Sequence, residues 1–165
     1  MPNPYAADKL ISQARQLAAE YRRTMGKPLP GISSEIAEHD AVRLLKLEAK
    51  ASPEGGWDAL DPETNERIQI KSRTIFDESK SGQRIGQLKT NQEWDAVVLV
   101  LMDDNYEPYE IYRAKREELE EFIGKSSSRS AKRGALSVAR FKIIGSLVWD
   151  AVNGAEDEVW DNQSA

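Results

Sequence analysis

Gly56-Trp57-Asp58-Ala59-Leu60, then Asp61-Pro62-Glu63-Thr64-Asn65, then Glu66-Arg67-Ile68-Gln69-Ile70-Lys71-Ser72-Arg73, is the stretch that decides the fold. From residue 66 to residue 73 polarity alternates. Ile68 and Ile70 fall on one side, and Arg67, Gln69, Lys71 and Arg73 on the other, the period of two expected of a β-strand. The middle segment is rich in residues that favour tight turns. Trp57–Leu60 is therefore expected to be the antiparallel partner of 66–73. Facing residues on such strands lie about 5 Å apart, so Asp58 is expected across from Gln69 and Lys71.

Working outward, residues 5–25 read as an amphipathic helix with Leu10, Ile11, Ala14, Leu17, Ala18 and Tyr21 as its stripe. Gly26-Lys27-Pro28-Leu29-Pro30-Gly31 breaks it. A second helix is expected to start at Ser33 or Ser34, either able to cap it, and to end near Leu47 with Ala37, Ala41, Leu44 and Leu45 buried. After the hairpin, residues 77–93 are polar and read as a loop. Trp94–Met102 contains a continuous apolar run suited to a strand buried on both faces. Tyr109–Arg113 reads as a returning strand and Lys115–Phe122 as a helix. Ser126–Ser130 reads as a loop. Ser137 is expected to cap a last helix carrying Val138, Phe141, Ile144 and Val148, although Gly145 interrupts that pattern. The order suggests an α/β domain, a mixed central sheet with helices on both faces. One domain is expected over 1–153, with its core at 30–123 and a flexible acidic tail at 154–165.

The 165 residues suit one domain. With 39% hydrophobic and 31% charged residues, the composition is that of a globular protein, and no apolar run approaches the roughly 20 residues of a membrane helix. The first residues lack the basic-then-apolar pattern of a secretory signal. No cysteine is present, which excludes disulfides and thiolate metal sites and suits a reducing cytoplasm. With a single histidine, His39, any metal site must rest mainly on oxygen ligands, which favours Mg²⁺, Mn²⁺ or Ca²⁺. His39 itself reads as a surface helix residue with no assigned role. The net charge is −5, but its distribution is uneven. Residues 125–142 hold Lys125, Arg129, Lys132, Arg133, Arg140 and Lys142 and no acid, whereas the tail is acidic. The basic stretch reads either as a solvated face or as an edge for phosphates, which Arg73, Lys80, Arg84 and Lys89 could join.

An acid, an amide oxygen and an ammonium on one patch suit phosphodiester hydrolysis. Carboxylates hold a hard cation that polarises the phosphate and acidifies a bound water. A lysine orients that water or stabilises charge on the phosphate oxygens. The preceding helix adds Glu35 and Glu38, three residues apart.

These residues resemble the PD-(D/E)XK nuclease superfamily. Its members carry an acid on a helix, then an Asp on a hairpin, then an acid two residues before a Lys. The matching residues are Glu35 and Glu38 in Gly31–Glu38, Asp58 in Gly56-Trp57-Asp58, and Gln69-Ile70-Lys71-Ser72-Arg73. The ending Ile-Lys-Ser-Arg is also similar to that of archaeal Holliday-junction resolvases. The likeness covers roughly residues 30–115, using the superfamily's loose layout as template. It implies a restriction endonuclease-like three-layer fold and a Mg²⁺- or Mn²⁺-dependent nuclease acting on DNA as a homodimer. It implies metal ligation by Asp58, Glu38 and Gln69, and a catalytic Lys71. Ser72, Arg73, Arg84, Arg129, Lys132 and Arg133 would contact nucleic acid. Spacing from Gly31 favours Glu35 as the helical ligand, whereas the helical wheel favours Glu38. The departure is Gln69, which supplies an oxygen but no charge and so weakens metal binding; Mrr-type restriction enzymes carry a similar Gln-X-Lys. The competing expectations are an inactive module on this fold that binds nucleic acid or a protein partner, and an interaction subunit of a defence or mobile-element system.

Overall fold

A computed structural model describes residues 3–50, 54–77, 83–125 and 135–155. Helix α1 (Pro4–Met25) begins where Asn3 accepts a 3.0 Å hydrogen bond from the Tyr5 N–H. It ends at Gly26, whose φ of 72° few other residues tolerate. Helix α2 (Ile32–Leu44) departs from expectation at both ends. Its N-cap is Gly31 at φ 80°, with no side-chain cap, so Ser33 and Ser34 lie inside the first turn. It stops three residues before Leu47, because Lys46 takes a left-handed φ of 56°.

The strands are β1 (Glu48–Ala49), β2 (Ala59–Asp61), β3 (Glu66–Thr74), β4 (Ala96–Met102), β5 (Pro108–Lys115), β6 (Ser146–Asp150) and β7 (Gly154–Ala155). They form one mixed sheet in sequence order, in which β3 and β4 pair in parallel and every other neighbouring pair is antiparallel. Helices α3 (Arg116–Lys125) and α4 (Val138–Ile144) complete the described elements. All seven residues of β4 are buried, as its unbroken apolar run requires.

Alternation along the strands builds two cores. Ile68, Ala96, Val98, Val100 and Ile111 face Ala18, Ala19, Ile36, Ala37 and Ala41 of α1 and α2. Val97, Leu99, Leu101 and Ala114 face Leu119 of α3, Phe141 of α4, and Ile85, Leu88 and Leu136 from loops. The helices thus lie on both faces of the sheet. One polar contact locks α1 to α2. Arg15 grips fully buried Asp40 with bonds of 2.8 and 2.9 Å and also donates to the Tyr106 carbonyl.

The C-terminal end corrects the sequence reading. The last helix stops at Ile144, and Val148 lies on β6 rather than on a helix. Gly145 explains the stop: a Cβ there would sit 2.7 Å from the Arg113 carbonyl, so the chain passes too close to β5 to remain helical. Gly154 and Ala155 then pair with Asp150 and Trp149, which carries the ordered domain past residue 153 into the expected tail. The remainder of that tail, 156–165, and the Ser126–Ser130 loop lie outside the described residues, as do Arg129, Lys132, Arg133 and Lys80. Among the described residues no helix is long and apolar enough to cross a membrane.

Candidate active site

The site begins where β2 leaves the sheet. Regular pairing between β2 and β3 covers only Ala59–Asp61 against Glu66–Ile68. At Asp58 the backbone N–H still donates to the Ile68 carbonyl at 2.7 Å, while the Asp58 carbonyl turns to the Lys50 N–H at 3.0 Å. The Asp58 side chain takes over the next rung. Its Oδ2 accepts from the Ile70 N–H at 2.7 Å. The carboxylate is thereby fixed against β3 at the residue between Gln69 and Lys71. A charge-assisted bond of this kind is among the stronger hydrogen bonds and sets the group's orientation.

Gln69, Lys71 and Arg73 pair with Val97, Leu99 and Leu101, which places them on the sheet face opposite α2. Gln69 is 9% exposed, and its Oε1 is buried without a hydrogen-bond partner. Such an acceptor costs about 1–3 kcal/mol unless something meets it, and is rare in native folds. Lys71 is half-buried. Its pKa is lowered by burial first, Asp58 opposes that by favouring the ammonium, and the positive charges of Arg73 and Lys89 add to the lowering.

Glu38 comes from α2, on the other side of the sheet, and is half-buried. Burial raises its pKa, and the negative charges of Asp58 and Glu35 raise it further. A carboxyl whose charge is disfavoured by burial and by neighbouring acids is one that a cation would relieve. Glu35 is exposed one turn earlier; both acids line a cleft of about 350 Å³ shared with His39 and with Ala7, Leu10 and Ile11 of α1. His39 is tied to α1 through Nε2 and Asp8 Oδ1, 2.9 Å apart.

Glu38 and Lys71 thus lie close enough to the Asp58 charge to respond to it, Glu38 from the α2 side of the sheet and Lys71 from the opposite face. Among the described residues no three Asp, Glu, His or Cys side chains are placed to hold a metal ion. The oxygen donors in question are the Asp58 and Glu38 carboxylates and the unpartnered Gln69 amide oxygen. The fit to Mg²⁺ or Mn²⁺ is reasonable in kind: hard oxygen donors, with the remaining positions left to water. An unsatisfied Gln69 Oε1 and a Glu38 whose pKa is raised by burial are both features that a divalent cation at those groups would relieve.

The other expected contact residues are dispersed. Ser72 is buried and lies with Ile68 and Ile70 on the opposite side of β3 from Lys71. Arg73 donates through Nε to the Arg84 carbonyl and through Nη1 to the Ser72 carbonyl at 2.7 Å. Arg84 is exposed, and its Nη1 donates to the Ala135 carbonyl at 2.8 Å. Sequence reasoning missed the role of the glycines. A Cβ at Gly56, where φ is 77°, would stand 2.4 Å from the Gln92 side chain, and one at Gly86 would stand 3.3 Å from Lys71 Nζ. These two positions let the 83–93 loop approach the start of the hairpin and the Lys71 ammonium closely. Gly86 stands alone between Ile85 and Gln87, and Gly56 follows Gly55 in a stretch that reads only as a turn, so neither is marked by its spacing as part of a site.

Compared with known proteins, the chain matches no family model and no curated sequence.

Proposed function

We propose that the chain is a metal-dependent nuclease with a restriction endonuclease-like fold that hydrolyses DNA phosphodiesters. The observations that carry this reading are the buried, unpartnered Gln69 Oε1 and the Asp58 carboxylate fixed on the N–H of the next residue, Ile70. The element order supports it too: an acid-bearing helix, the Asp58 hairpin, the strand of Lys71, then a parallel buried strand.

Asp58, Glu38 and Gln69 would hold Mg²⁺ or Mn²⁺, which supplies charge neutralisation at the phosphate and a more acidic water. The chain's own contribution is positional. Asp58 is held by the β3 backbone. Lys71, with its lowered pKa, directs a hydrogen bond toward the attacking water or the phosphate oxygens. Water would add at phosphorus and release a proton to solvent, the bond to the leaving sugar oxygen would break, and that oxygen would take a proton from solvent. Glu35 is too exposed for the same place and acts on Glu38 through its charge. The resemblance adds a homodimer to the proposal, and the cysteine-free composition adds a reducing cytoplasmic setting.

Incubating supercoiled plasmid with the protein and Mg²⁺ or Mn²⁺ tests the reading. Nicking by wild type that is lost in Lys71→Ala is expected; equal nicking by both would refute it. Gln69 favours a second reading, a module on the same fold that binds nucleic acid with weakened chemistry, because an amide brings no charge to the metal. That reading predicts salt-sensitive DNA binding without nicking.

A further inference from the structure

We propose that the open apolar face of α1 docks on the same face of a second copy of the chain, with the two helices antiparallel. The homodimer above rests on the resemblance alone and has no surface. The surface assigned here comes from exposed side chains and is independent of the nuclease chemistry.

Helix α1 has 22 residues and is therefore about 33 Å long. One side faces the domain. Ala18 and Ala19 are buried in the core, Ile11 and Ala14 pack at its edge, and Arg15 holds Asp40. The adjoining side is apolar and open. Leu10 is 64% exposed, and Leu17 and Met25 are each 55% exposed. Among the described residues six large apolar side chains are exposed, and these three and Tyr5 are four of them, so apolar exposure is concentrated on this helix. Ala7, Leu10, Ala14, Leu17 and Tyr21 recur at alternating steps of three and four, the repeat by which one helix packs along another.

The stripe is self-complementary when reversed. A two-fold axis between Arg15 and Gln16 sets Leu10 against Tyr21 of the second copy and small Ala14 against Leu17 of that copy, and every contact is made twice. The charges on the outer flank run the same way. Lys9 and Glu20 are both exposed and lie about 20° apart around the helix at 100° per residue. The antiparallel arrangement brings Lys9 of one copy toward Glu20 of the other, whereas a parallel one sets like charges together. The two ends match as well. At the N-terminal end the stripe borders the cleft where Glu35 and Glu38 stand beside Ala7, Leu10 and Val42. The C-terminal end carries Met25 and the exposed bases Arg23 and Lys27. The two-fold axis turns that basic end of each copy toward the acidic cleft of the other. A helix lying on a membrane surface carries a basic polar face, but the flank here reads Lys9, Gln13, Gln16, Glu20. A helix pair of this length buries on the order of 1,000 Å², the low end for specific interfaces, so the dimer dissociates in the micromolar range.

Sedimentation equilibrium of the full chain, without metal or DNA and over a concentration series into the hundreds of micromolar, tests the proposal. Wild type is expected to pass from monomer to dimer. Leu17→Glu should raise the dissociation constant at least about tenfold by placing a charge in the seam, and the uncharged Leu17→Ala should raise it less. Ile143→Glu alters an exposed residue of α4, beyond the other face of the sheet, and should match wild type. The chain has no cysteine, so single-thiol variants report direction. With a short bifunctional maleimide, Leu17→Cys should cross-link to itself and Leu10→Cys to Tyr21→Cys, while Leu10→Cys should not cross-link to itself. A wild type that stays monomeric throughout the series would overturn the proposal. So would full dimerisation of Leu17→Glu and Leu17→Ala, or self-cross-linking of Leu10→Cys. Binding of a monomeric wild type to anionic vesicles, lost in Leu17→Glu, would also overturn it, by assigning the face to a membrane. Dimerisation without nicking would sink the nuclease reading alone. Nicking by a chain that never pairs would sink this one alone.

Discussion

The two ends of strand β2 hold charged clusters three residues apart, and they are built on opposite principles. At the turn end, Arg113 reaches across the sheet from β5 to Asp61 and Glu66, with both contacts at 2.6 Å. Asp61 also accepts the Glu63 N–H at 2.9 Å. Every charge there has a partner. At the other end Asp58 faces a second carboxylate, Glu38, and a half-buried Lys71, while Gln69 Oε1 meets nothing. The first cluster clamps the hairpin to the sheet. The second leaves interactions unmade, and unmade interactions in a rigid frame are where a ligand gains most. The difference separates a structural salt bridge from a candidate site better than the residue types do, since both ends are acids beside cations.

That comparison can be broken in several places. Asp58→Asn should abolish metal-dependent nicking, by about a thousandfold if the metal contributes several kcal/mol to the transition state. Its thermal unfolding should stay within a few degrees of wild type. Arg113→Ala should do the reverse. Removing the cation leaves Asp61 and Glu66 uncompensated and should cost about 2–4 kcal/mol of stability, discounted for their partial exposure and read by denaturant unfolding. Any nicking activity should persist while the variant is folded. Gln69→Glu should sharpen the contrast at the ligand end. A third carboxylate should tighten Mn²⁺ binding by about tenfold, or 1.4 kcal/mol, in a calorimetric titration; weaker binding would mean that Gln69 does not face the metal.

The smallest effect concerns pH. Burial by itself would raise the Asp61 pKa, but the Arg113 hydrogen bond and the Glu63 and Thr64 backbone donors overcome it and hold the carboxyl below its ordinary 3.8. A depressed folded pKa contributes stability that is present above the ordinary value and lost as pH falls through the lowered one. Melting temperatures between about pH 5 and pH 3 should fall less steeply in Arg113→Ala than in wild type. Parallel slopes would show that Asp61 is not held by that pair.

Much of the site was legible because β3 is regular. Alternation from Arg67 to Arg73 put Gln69 and Lys71 on one face, and the turn residues placed Asp58 beside them. What pattern could not reveal is that Asp58 binds the Ile70 N–H with its side chain, since that depends on where β2 leaves the ladder. Glu38 and Lys71 reach Asp58 from opposite faces, which a one-face reading of the hairpin does not anticipate. The helical wheel favoured Glu38 over Glu35, and the half-buried position of Glu38 near Asp58 agrees with that preference. Asp40 escaped the α2 stripe because a charged residue is not expected in a core, yet Arg15 makes it one of the most buried side chains. The end of the chain was misread for another reason. Val138, Phe141, Ile144 and Val148 fit a helical period, but the close approach of Gly145 to β5 ends the helix and starts a strand. Tertiary contact overrode local periodicity there.

Divalent-ion binding at the Asp58 end tests the central claim most directly. Mn²⁺ titrated into the protein, followed by paramagnetic resonance of the free ion, should show one site per chain in wild type and in Arg113→Lys. The site should be lost in Asp58→Asn and weakened in Glu38→Gln. Equal Mn²⁺ uptake by wild type and Asp58→Asn would contradict the account.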